Sequence, residues 1–282
     1  MSGGLNSGAS GARLGDGLAG LRAVALGLGY TFLYLPIVVV IVYSFNDSRL
    51  VTVWGGFSTR WYGELLHDDK MLSAAALSLQ IAAISATLAT IIGTAAAIAL
   101  HRGGRFPGRS TLDGMLTSLL VVPDIVLGLA FLLLFVVMGS LIGWPAGRGA
   151  LTVTIAHTTL AVAYATLVVR AKLTGVDPDL LAAAADLGET PMRAHWRVTL
   201  PLIAPALAVA WLLSFTLSLD DVVLASFVSG PGSSTLPMVV FSSVRLGLSP
   251  EVNALATLLL AAVATVTTTA AIWTLRRAKR QA

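Results

Sequence analysis

Long apolar stretches recur along the whole chain and are separated by short polar segments. A helix needs about 20 apolar residues to cross the roughly 30 Å hydrocarbon core of a bilayer. Six stretches reach that length, at approximately 21–44, 72–100, 111–138, 150–169, 202–228 and 254–275. The pattern therefore predicts an all-α, polytopic membrane protein with six transmembrane helices, whose transmembrane domain occupies residues 21–275.

The composition agrees with a membrane protein and excludes several other classes. Hydrophobic residues make up 56% of the 282 residues and charged residues only 11%, against roughly 25% charged in an average soluble domain. The net charge of +4 favours a phospholipid surface over nucleic acid, because Lys and Arg lie at the membrane edges rather than on one soluble face. The chain has no cysteine, which excludes disulfides, thiolate metal sites and cysteine nucleophiles. We expect neither a metal nor a cofactor.

Both ends of the chain look different from the apolar middle. Residues 1–20 are rich in Gly and Ser and indicate a flexible cytoplasmic tail. Residues 276–282 form a basic cytoplasmic C-terminus. A cleaved signal peptide would have an apolar core of only about 7–15 residues, whereas the apolar run 23–43 is nearly uninterrupted, so we predict a retained first span.

The distribution of basic residues predicts the orientation, since Lys and Arg are enriched in cytoplasmic loops. With both termini in the cytoplasm, thirteen of the eighteen Lys and Arg residues lie inside, namely Arg13, Arg22, Arg102, Arg105, Arg109, Arg170, Lys172, Arg193, Arg197, Arg276, Arg277, Lys279 and Arg280. The outer side holds Arg49, Arg60, Lys70, Arg148 and Arg245. In the long outer loop we expect Trp54, Trp61 and Tyr62 to lie at the membrane interface.

The cytoplasmic loop 171–201 contains its own helix signals. Asp177-Pro178 is a typical helix start, residues 180–187 are good helix formers, and Gly188 suits the left-handed residue that ends a helix. Thr190-Pro191 repeats the start signal. This second helix is predicted to run from Met192 toward Thr199, where Pro201 and Pro205 disturb the entry into the fifth span.

Two short helices on the cytoplasmic face could rest on lipid headgroups without any protein partner. The loop has four acidic residues, Asp177, Asp179, Asp186 and Glu189, which an anionic bilayer repels. They favour a protein partner instead.

One motif in this loop resembles a known family. Ala182-Ala183-Ala184-x-x-x-Gly188, nine further residues and Val198-x-Leu200-Pro201 are similar to the EAA loop of permease subunits in ATP-binding-cassette importers. The departure is Ala182, where that family usually has glutamate. The resemblance implies a coupling helix that docks into a cytoplasmic ATPase through Ala183, Ala184, Asp186, Leu187, Gly188, Leu200 and Pro201.

The same resemblance implies the surroundings of the protein. We expect two ATPase subunits in the cytoplasm, a second homologous permease, a periplasmic solute-binding protein, and a location in a bacterial inner membrane. The chain has no Gly-x-x-x-x-Gly-Lys-Ser/Thr phosphate loop, so a partner would hydrolyse the ATP. We therefore expect a transport subunit and not an enzyme.

A second resemblance concerns the transported substrate. The segment 218–232, continuing through Thr235-Leu236-Pro237 and 241–245, is similar to the spermidine/putrescine branch of these permeases, and looks closest to its putrescine type. Related motifs occur in importers of other small cations and of opine-like solutes, so those substrates stay open.

Carboxylates inside the membrane are expensive and usually face a cavity or a partner. Asp124, Asp220 and Asp221 fall within predicted spans. Passage of a diamine calls for carboxylates together with aromatic faces that attract cations, and Trp211, Phe215 and Phe227 lie in the same span as the aspartate pair. These six residues are the predicted pathway, with Asp220 favoured over Asp221. Equally, the aspartates could cap broken helices or pair with another subunit.

The sequence is also compatible with two other classes of membrane protein. A self-sufficient carrier of organic cations could couple protons to solute through the intramembrane aspartates, but it has no need for the loop 171–201. A passive scaffold would not need carboxylates in mid-span. His157 in the fourth span is predicted to make a hydrogen bond between helices rather than to bind a ligand.

Overall fold

The computed structural model describes residues 8–50, 53–102, 104, 106–177, 179–246 and 250–281. In this part of the chain the secondary structure is helical, with one isolated β-bridge between Asn46 and Phe57. The α-helices are α1 (Gly8–Tyr43), α2 (Arg60–Leu65), α3 (Asp69–Arg102), α4 (Arg109–Val121), α5 (Asp124–Ile142), α6 (Ala150–Leu173), α7 (Asp179–Asp186), α8 (Pro191–Ala194), α9 (Leu200–Asp220), α10 (Val223–Val228), α11 (Leu236–Leu246) and α12 (Pro250–Gln281).

The predicted all-α, polytopic fold is confirmed. Among the described residues, five helical segments are long and apolar enough to cross a membrane, at Arg22–Tyr43, Asp69–His101, Asp124–Ile142, Ala150–Leu173 and Met192–Asp220. The sixth predicted span lies in α12, whose described apolar part is Pro250–Thr265. Helix α1 already begins at Gly8, inside the segment predicted to be a flexible tail. The boundaries at residues 20 and 275 stay predictions.

The third predicted span is two helices and not one. Helix α4 ends at Val121, Val122 is extended with ψ 131°, and α5 begins at Asp124. The cause is Pro123, whose ring disfavours the helical conformation of the residue before it. The backbone N–H groups of Val126 and Leu127 bond to the Pro123 carbonyl, so α5 starts afresh after the proline.

The chain forms two compact units, Met1–Asp68 with Ser243–Ala282, and Asp69–Ser242. In the first unit, Asn46 organises the outer loop by donating to the Val53 carbonyl at 2.7 Å and accepting from the Gly55 N–H at 2.7 Å. Trp61 is only 3% exposed and donates to the Asn46 carbonyl at 2.6 Å. The prediction that Trp61 is an interfacial anchor was therefore wrong.

The second unit contains all the predicted functional residues and is built on α3, α6 and α9. Small residues allow these helices to approach closely, as in many membrane bundles. A Cβ added to Gly93 of α3 would lie 2.8 Å from the Ala165 Cβ of α6. A second apolar cluster joins α5, α6 and α10 through Leu127, Phe135, Val153, Ala156, Leu224, Ala225 and Val228.

Candidate functional site

The fifth predicted span is broken at the aspartate pair. Helix α9 ends at Asp220, Asp221 is extended with ψ 127°, and α10 starts at Val223. The Asp221 carboxylate accepts from the backbone N–H of Leu224 at 3.2 Å and from that of Ala225 at 2.7 Å. These are donors that the first turn of a helix leaves without an intrahelical partner. Asp221 therefore caps α10.

His157 of α6 holds the same carboxylate. Its Nε2 lies 3.1 Å from Asp221 Oδ2, and its Nδ1 lies 2.7 Å from Ser218 Oγ. The His157 side chain is 2% exposed and that of Asp221 is 11% exposed. A carboxylate only accepts, so His157 donates from Nε2, and in the neutral imidazole Nδ1 then accepts from the Ser218 hydroxyl. The prediction that His157 makes a hydrogen bond between helices is confirmed.

The other end of α10 is also fastened to α6. The hydroxyl of Thr152 donates to the Val228 carbonyl at 2.7 Å, and Thr152 is fully buried. Helix α10 is thus held to α6 at both ends, by Thr152 and by the pair of His157 and Asp221.

Asp220 has different surroundings from its neighbour. It is the last residue of α9 and is exposed. Spacings of three and four residues place it on the face of α9 that bears Thr216, Leu212 and Val209, all of which are exposed.

The predicted aromatic residues do not gather around Asp220. Trp211 and Phe215 stack on each other with ring centroids 5.2 Å apart, and the Trp211 indole donates to the Thr87 hydroxyl of α3 at 3.1 Å. At about 100° per residue, Asp220 is turned about 140° around the helix from Phe215 and about 180° from Trp211. The aromatic pair and Asp220 therefore lie on different faces of α9.

Phe227 and Asp124 lie elsewhere in the second unit. Phe227 packs over Gly128 of α5 so closely that a Cβ on Gly128 would lie 2.5 Å from the Phe227 ring. Asp124 is exposed in the first turn of α5. The structure thus separates the six predicted pathway residues into an aromatic pair, an exposed Asp220, a capping Asp221, a packed Phe227 and an exposed helix start at Asp124.

The first helix of the cytoplasmic loop ends as predicted. Gly188 has a φ of +85°, a conformation that glycine adopts without strain. Its N–H bonds to the Ala185 carbonyl at 2.9 Å, and the Glu189 N–H bonds to the Ala184 carbonyl at 3.0 Å. This pair of bonds is the Schellman motif that satisfies the last carbonyls of a helix. Pro178, part of the predicted start signal, lies outside the described residues.

Pro201 and Pro205 were predicted to interrupt the chain between the second loop helix and the fifth span. The structure shows no such interruption at this point. Helix α8 leads into a π-helical turn, His195–Thr199, and then directly into α9. The Leu200 N–H bonds to the His195 carbonyl five residues back. A proline ring clashes with the carbonyl four residues before it, which for Pro201 is that of Arg197. We attribute the continuity to the wider π turn, which gives the ring room.

The loop presents apolar side chains to its surroundings. Leu187 is 86% exposed, Met192 69% and Trp196 66%. Of the predicted coupling residues, Ala183, Asp186, Leu187 and Gly188 are exposed, Ala184 is buried, and Leu200 and Pro201 belong to the start of α9. Met192 and Trp196 line an apolar groove with Ile91, Ile98 and Leu207, inside the segment Met192–Asp220 that is apolar enough to cross a membrane.

No group of three or more His, Asp or Glu side chains suited to a metal ion occurs within the described part of the chain.

Residues 89–280 match the family described as "Binding-protein-dependent transport system inner membrane component". The chain belongs to this family. The permease is 57% identical over 245 residues to the "Putrescine transport system permease protein PotI" of Escherichia coli strain K12, with 87% of each chain covered. It is 44% identical over 231 residues to the "Spermidine/putrescine transport system permease protein PotC" of the same strain, covering 82% of this chain and 85% of that one.

The fold of the permease agrees with its family. A crystal structure of a bacterial ABC transporter involved in the import of the acidic polysaccharide alginate matches with a TM-score of 0.71, covering 96% of this chain and 99% of that chain at 17% identity. The methionine transporter MetNI matches with a TM-score of 0.58 at 17% identity. Both likenesses concern the fold alone. The permease is a multi-pass component of an inner membrane, and its family consists of transport proteins.

Proposed function

We propose that this chain is the permease subunit of an ATP-binding-cassette importer, and that with a second permease it forms the pathway for a polyamine, with putrescine as the first candidate. The observation that supports this proposal is the 57% identity to PotI over 87% of both chains. The alternative within the same class of importer is that the substrate is an opine or another small cation.

The cytoplasmic loop is the proposed contact with the ATPase. Leu187 is 86% exposed and lies in a segment that also has four acidic residues, which a protein groove accommodates better than an anionic lipid surface. The ion pair between Arg197 and Glu189 at 2.6 Å links the end of the first loop helix to the π turn that leads into α9. A displacement of the loop by the ATPase would therefore be transmitted directly to the fifth span.

The proposed cation contact in the pathway is Asp220. The C-terminal end of a helix carries partial negative charge and carbonyls without intrahelical donors. A carboxylate at that end is unfavourable by itself, and an ammonium group would relieve the repulsion. Asp124, exposed at the start of α5, is a second candidate. Asp221, Phe227 and the stacked pair of Trp211 and Phe215 have structural partners, so their predicted pathway role is weaker.

The proposed assembly has two cytoplasmic ATPase subunits, a second permease and a periplasmic solute-binding protein, with both termini of this chain in the cytoplasm. The charge distribution described above supports that orientation.

Reconstitution into proteoliposomes tests the proposal. The permease would be purified with its co-expressed partners, and uptake of radiolabelled putrescine would be measured with ATP on the ATPase side and the binding protein on the other. We expect uptake that requires ATP, the ATPase and the binding protein together. Uptake by the permease alone under an imposed proton gradient would instead identify a secondary carrier. ATP-driven uptake of another solute, without competition by putrescine, would support the importer but contradict the assignment of a polyamine as its substrate.

A further inference from the structure

We propose that His157 is a positioning residue for transport. It holds Asp221 as the cap of α10, fixes the break that ends α9, and thereby sets how Asp220 is presented to the transported cation. This inference rests on the proposed function, because it assumes that Asp220 meets the substrate.

The break in the fifth span is not caused by a proline or a glycine. No proline or glycine occurs between Ala206 and Ser229, and the segment consists mainly of apolar residues that continue a helix in a membrane. Asp favours helix caps over helix interiors, and His157 adds a contact from another helix to this local preference. The contacts that reward its extended conformation come from the two N–H groups of α10 and from His157.

The two ring nitrogens of His157 have different partners. Nε2 meets the carboxylate at 3.1 Å, while Nδ1 meets Ser218 Oγ at 2.7 Å, one turn before the break. One imidazole therefore bonds to the last turn of α9 and to the cap of α10. The cavity beside it holds about 10 Å³, which at most approaches the space of one water molecule.

Fixing this point also fixes the neighbouring residue. Asp220 is covalently joined to Asp221, and its carboxylate lies at the C-terminal end of α9 only as long as the helix ends there. If Asp221 joined α9, the last turn would extend past Asp220 and the end of the helix would move away from its carboxylate. His157 acts here through Asp221, without contact with the substrate.

The test uses two amides that each retain one half of the imidazole. Glutamine places its amide nitrogen near the position of Nε2 and can still donate to Asp221, whereas asparagine reaches only the position of Nδ1 near Ser218. We would measure putrescine uptake per assembled complex for His157→Ala, His157→Gln and His157→Asn. The matched control is Thr158→Val on the same helix, since Thr158 bonds only to the Thr154 carbonyl of its own helix.

We expect about tenfold slower uptake per complex for His157→Ala and His157→Asn, in proportion to the loss of one hydrogen bond to a charged group. We expect near-normal uptake for His157→Gln and for the control. Equal rates per complex for all three variants, with only the amount of complex reduced, would overturn the proposal. Equal losses for the two amides would overturn it too.

A second measurement follows the position of residue 220 itself. Because the chain has no cysteine, Asp220→Cys provides a single thiol, and Thr216→Cys provides a control one turn earlier on the same face. We expect His157→Ala to change the reaction rate with a small cationic thiol reagent several-fold at position 220 and little at position 216. Unchanged rates at both positions would contradict the proposal.

The same membranes should include Asp220→Asn. If that variant transports normally, Asp220 is outside the pathway and the proposed function of the site fails, whatever His157 does. If that variant loses uptake while His157→Ala keeps it, the inference about His157 fails alone.

Discussion

Asp220 and Asp221 are neighbours in the chain, yet they belong to opposite ends of two helices. Asp220 is the last residue of α9, where the helix dipole is negative, and Asp221 caps α10, where the dipole is positive. The helix dipole therefore disfavours the charged carboxylate of Asp220 and favours that of Asp221, although the two residues are adjacent. The first is unfavourable beside the negative end of the α9 dipole, and the second is stabilised by two backbone donors and by His157.

Removing the Asp221 cap should destabilise the protein more than neutralising it. Asp221→Ala leaves His157 and two N–H groups of α10 without their acceptor, which costs about 1–3 kcal/mol for a buried donor. Asp221→Asn keeps an acceptor oxygen and a residue that is favoured as a helix cap. In detergent, the thermal unfolding midpoint should fall clearly for the alanine variant and only slightly for the asparagine variant. Equal midpoints would argue against the capping role.

The close packing of Phe227 on Gly128 predicts a compensating pair of substitutions. Gly128→Ala would place a Cβ 2.5 Å from the Phe227 ring, and overpacking of this kind costs about 1–3 kcal/mol. Phe227→Leu in the same chain should recover part of that loss by making room. The measurement is again the unfolding midpoint, with Gly114→Ala as a control because a Cβ there meets nothing within 4 Å.

If Phe227 instead contributed to the cation pathway, Phe227→Leu alone would reduce uptake strongly while leaving the amount of complex unchanged. We expect uptake per complex to stay close to that of the unmodified protein.

The cytoplasmic loop gives a prediction about ATPase binding. Leu187→Asp puts a charge on a side chain that is 86% exposed, so the permease itself should fold and insert normally. An apolar groove on the ATPase would reject the charge, and copurified ATPase and ATP-driven uptake should both fall at least tenfold. Leu66→Asp, at a position that is 65% exposed in the predicted outer loop, is the matched control. Normal copurification of the ATPase with Leu187→Asp would exclude this docking surface.

A stronger change in the same loop tests the shape as well as the surface. Deletion of residues 186–193, or Gly188→Pro, removes the left-handed residue with φ +85°, which proline cannot adopt. The protein should remain in the membrane and lose ATP-dependent uptake. Normal ATP-driven uptake by vesicles containing either variant would contradict the coupling role.

Orientation can be tested with the same cysteine-free chain. Arg193→Cys, in α8, should resist a membrane-impermeant thiol reagent in intact cells, and Asp69→Cys, at the start of α3, should react. Both thiols should react after the cells are permeabilised. The reverse pattern in intact cells would invert the assigned topology.

Local features of the fold were predictable where one residue type determines the backbone. Gly188 ends α7 because a left-handed residue is needed there, and Pro123 breaks the third span because of its ring. The break at Asp221 was predicted only as one alternative, in which the aspartates cap broken helices. Asp favours a cap without forcing one, and a further contact comes from His157, which is 64 residues away in sequence.

The candidate site was only partly predictable for a related reason. The six predicted residues were selected by residue type and by span, and they included Asp220 and Asp221. The preference for Asp220 over Asp221 assumed that the fifth span is one regular helix. Once α9 ends at Asp220, the angular relation between the two aspartates no longer follows helix geometry. The burial of Trp61 was missed in the same way, because its partner is the backbone carbonyl of Asn46 in a folded loop.

The central chemical prediction concerns the charge of Asp220. Asp220→Asn keeps the size and one acceptor oxygen but removes the negative charge, and hydrogen bonds between ionised groups are roughly twice as strong as neutral ones. Loss of about 1.5–3 kcal/mol of interaction corresponds to a decrease in putrescine uptake of about tenfold to a hundredfold.

Assembly with the partners should persist in this variant, because Asp220 is exposed at a helix end and its removal even relieves the unfavourable interaction with the dipole of α9. Thr216→Val, on the same exposed face one turn earlier, is the control and should transport normally. Asp221→Asn should affect stability more than the Asp220 variant does, since only Asp221 bonds to α10 and His157.

Assembled complex and labelled putrescine uptake would be measured in the same membranes for all three variants. Normal uptake by Asp220→Asn would remove this residue from the pathway. Failure of Asp220→Asn to assemble would instead identify a structural partner for Asp220 in another subunit.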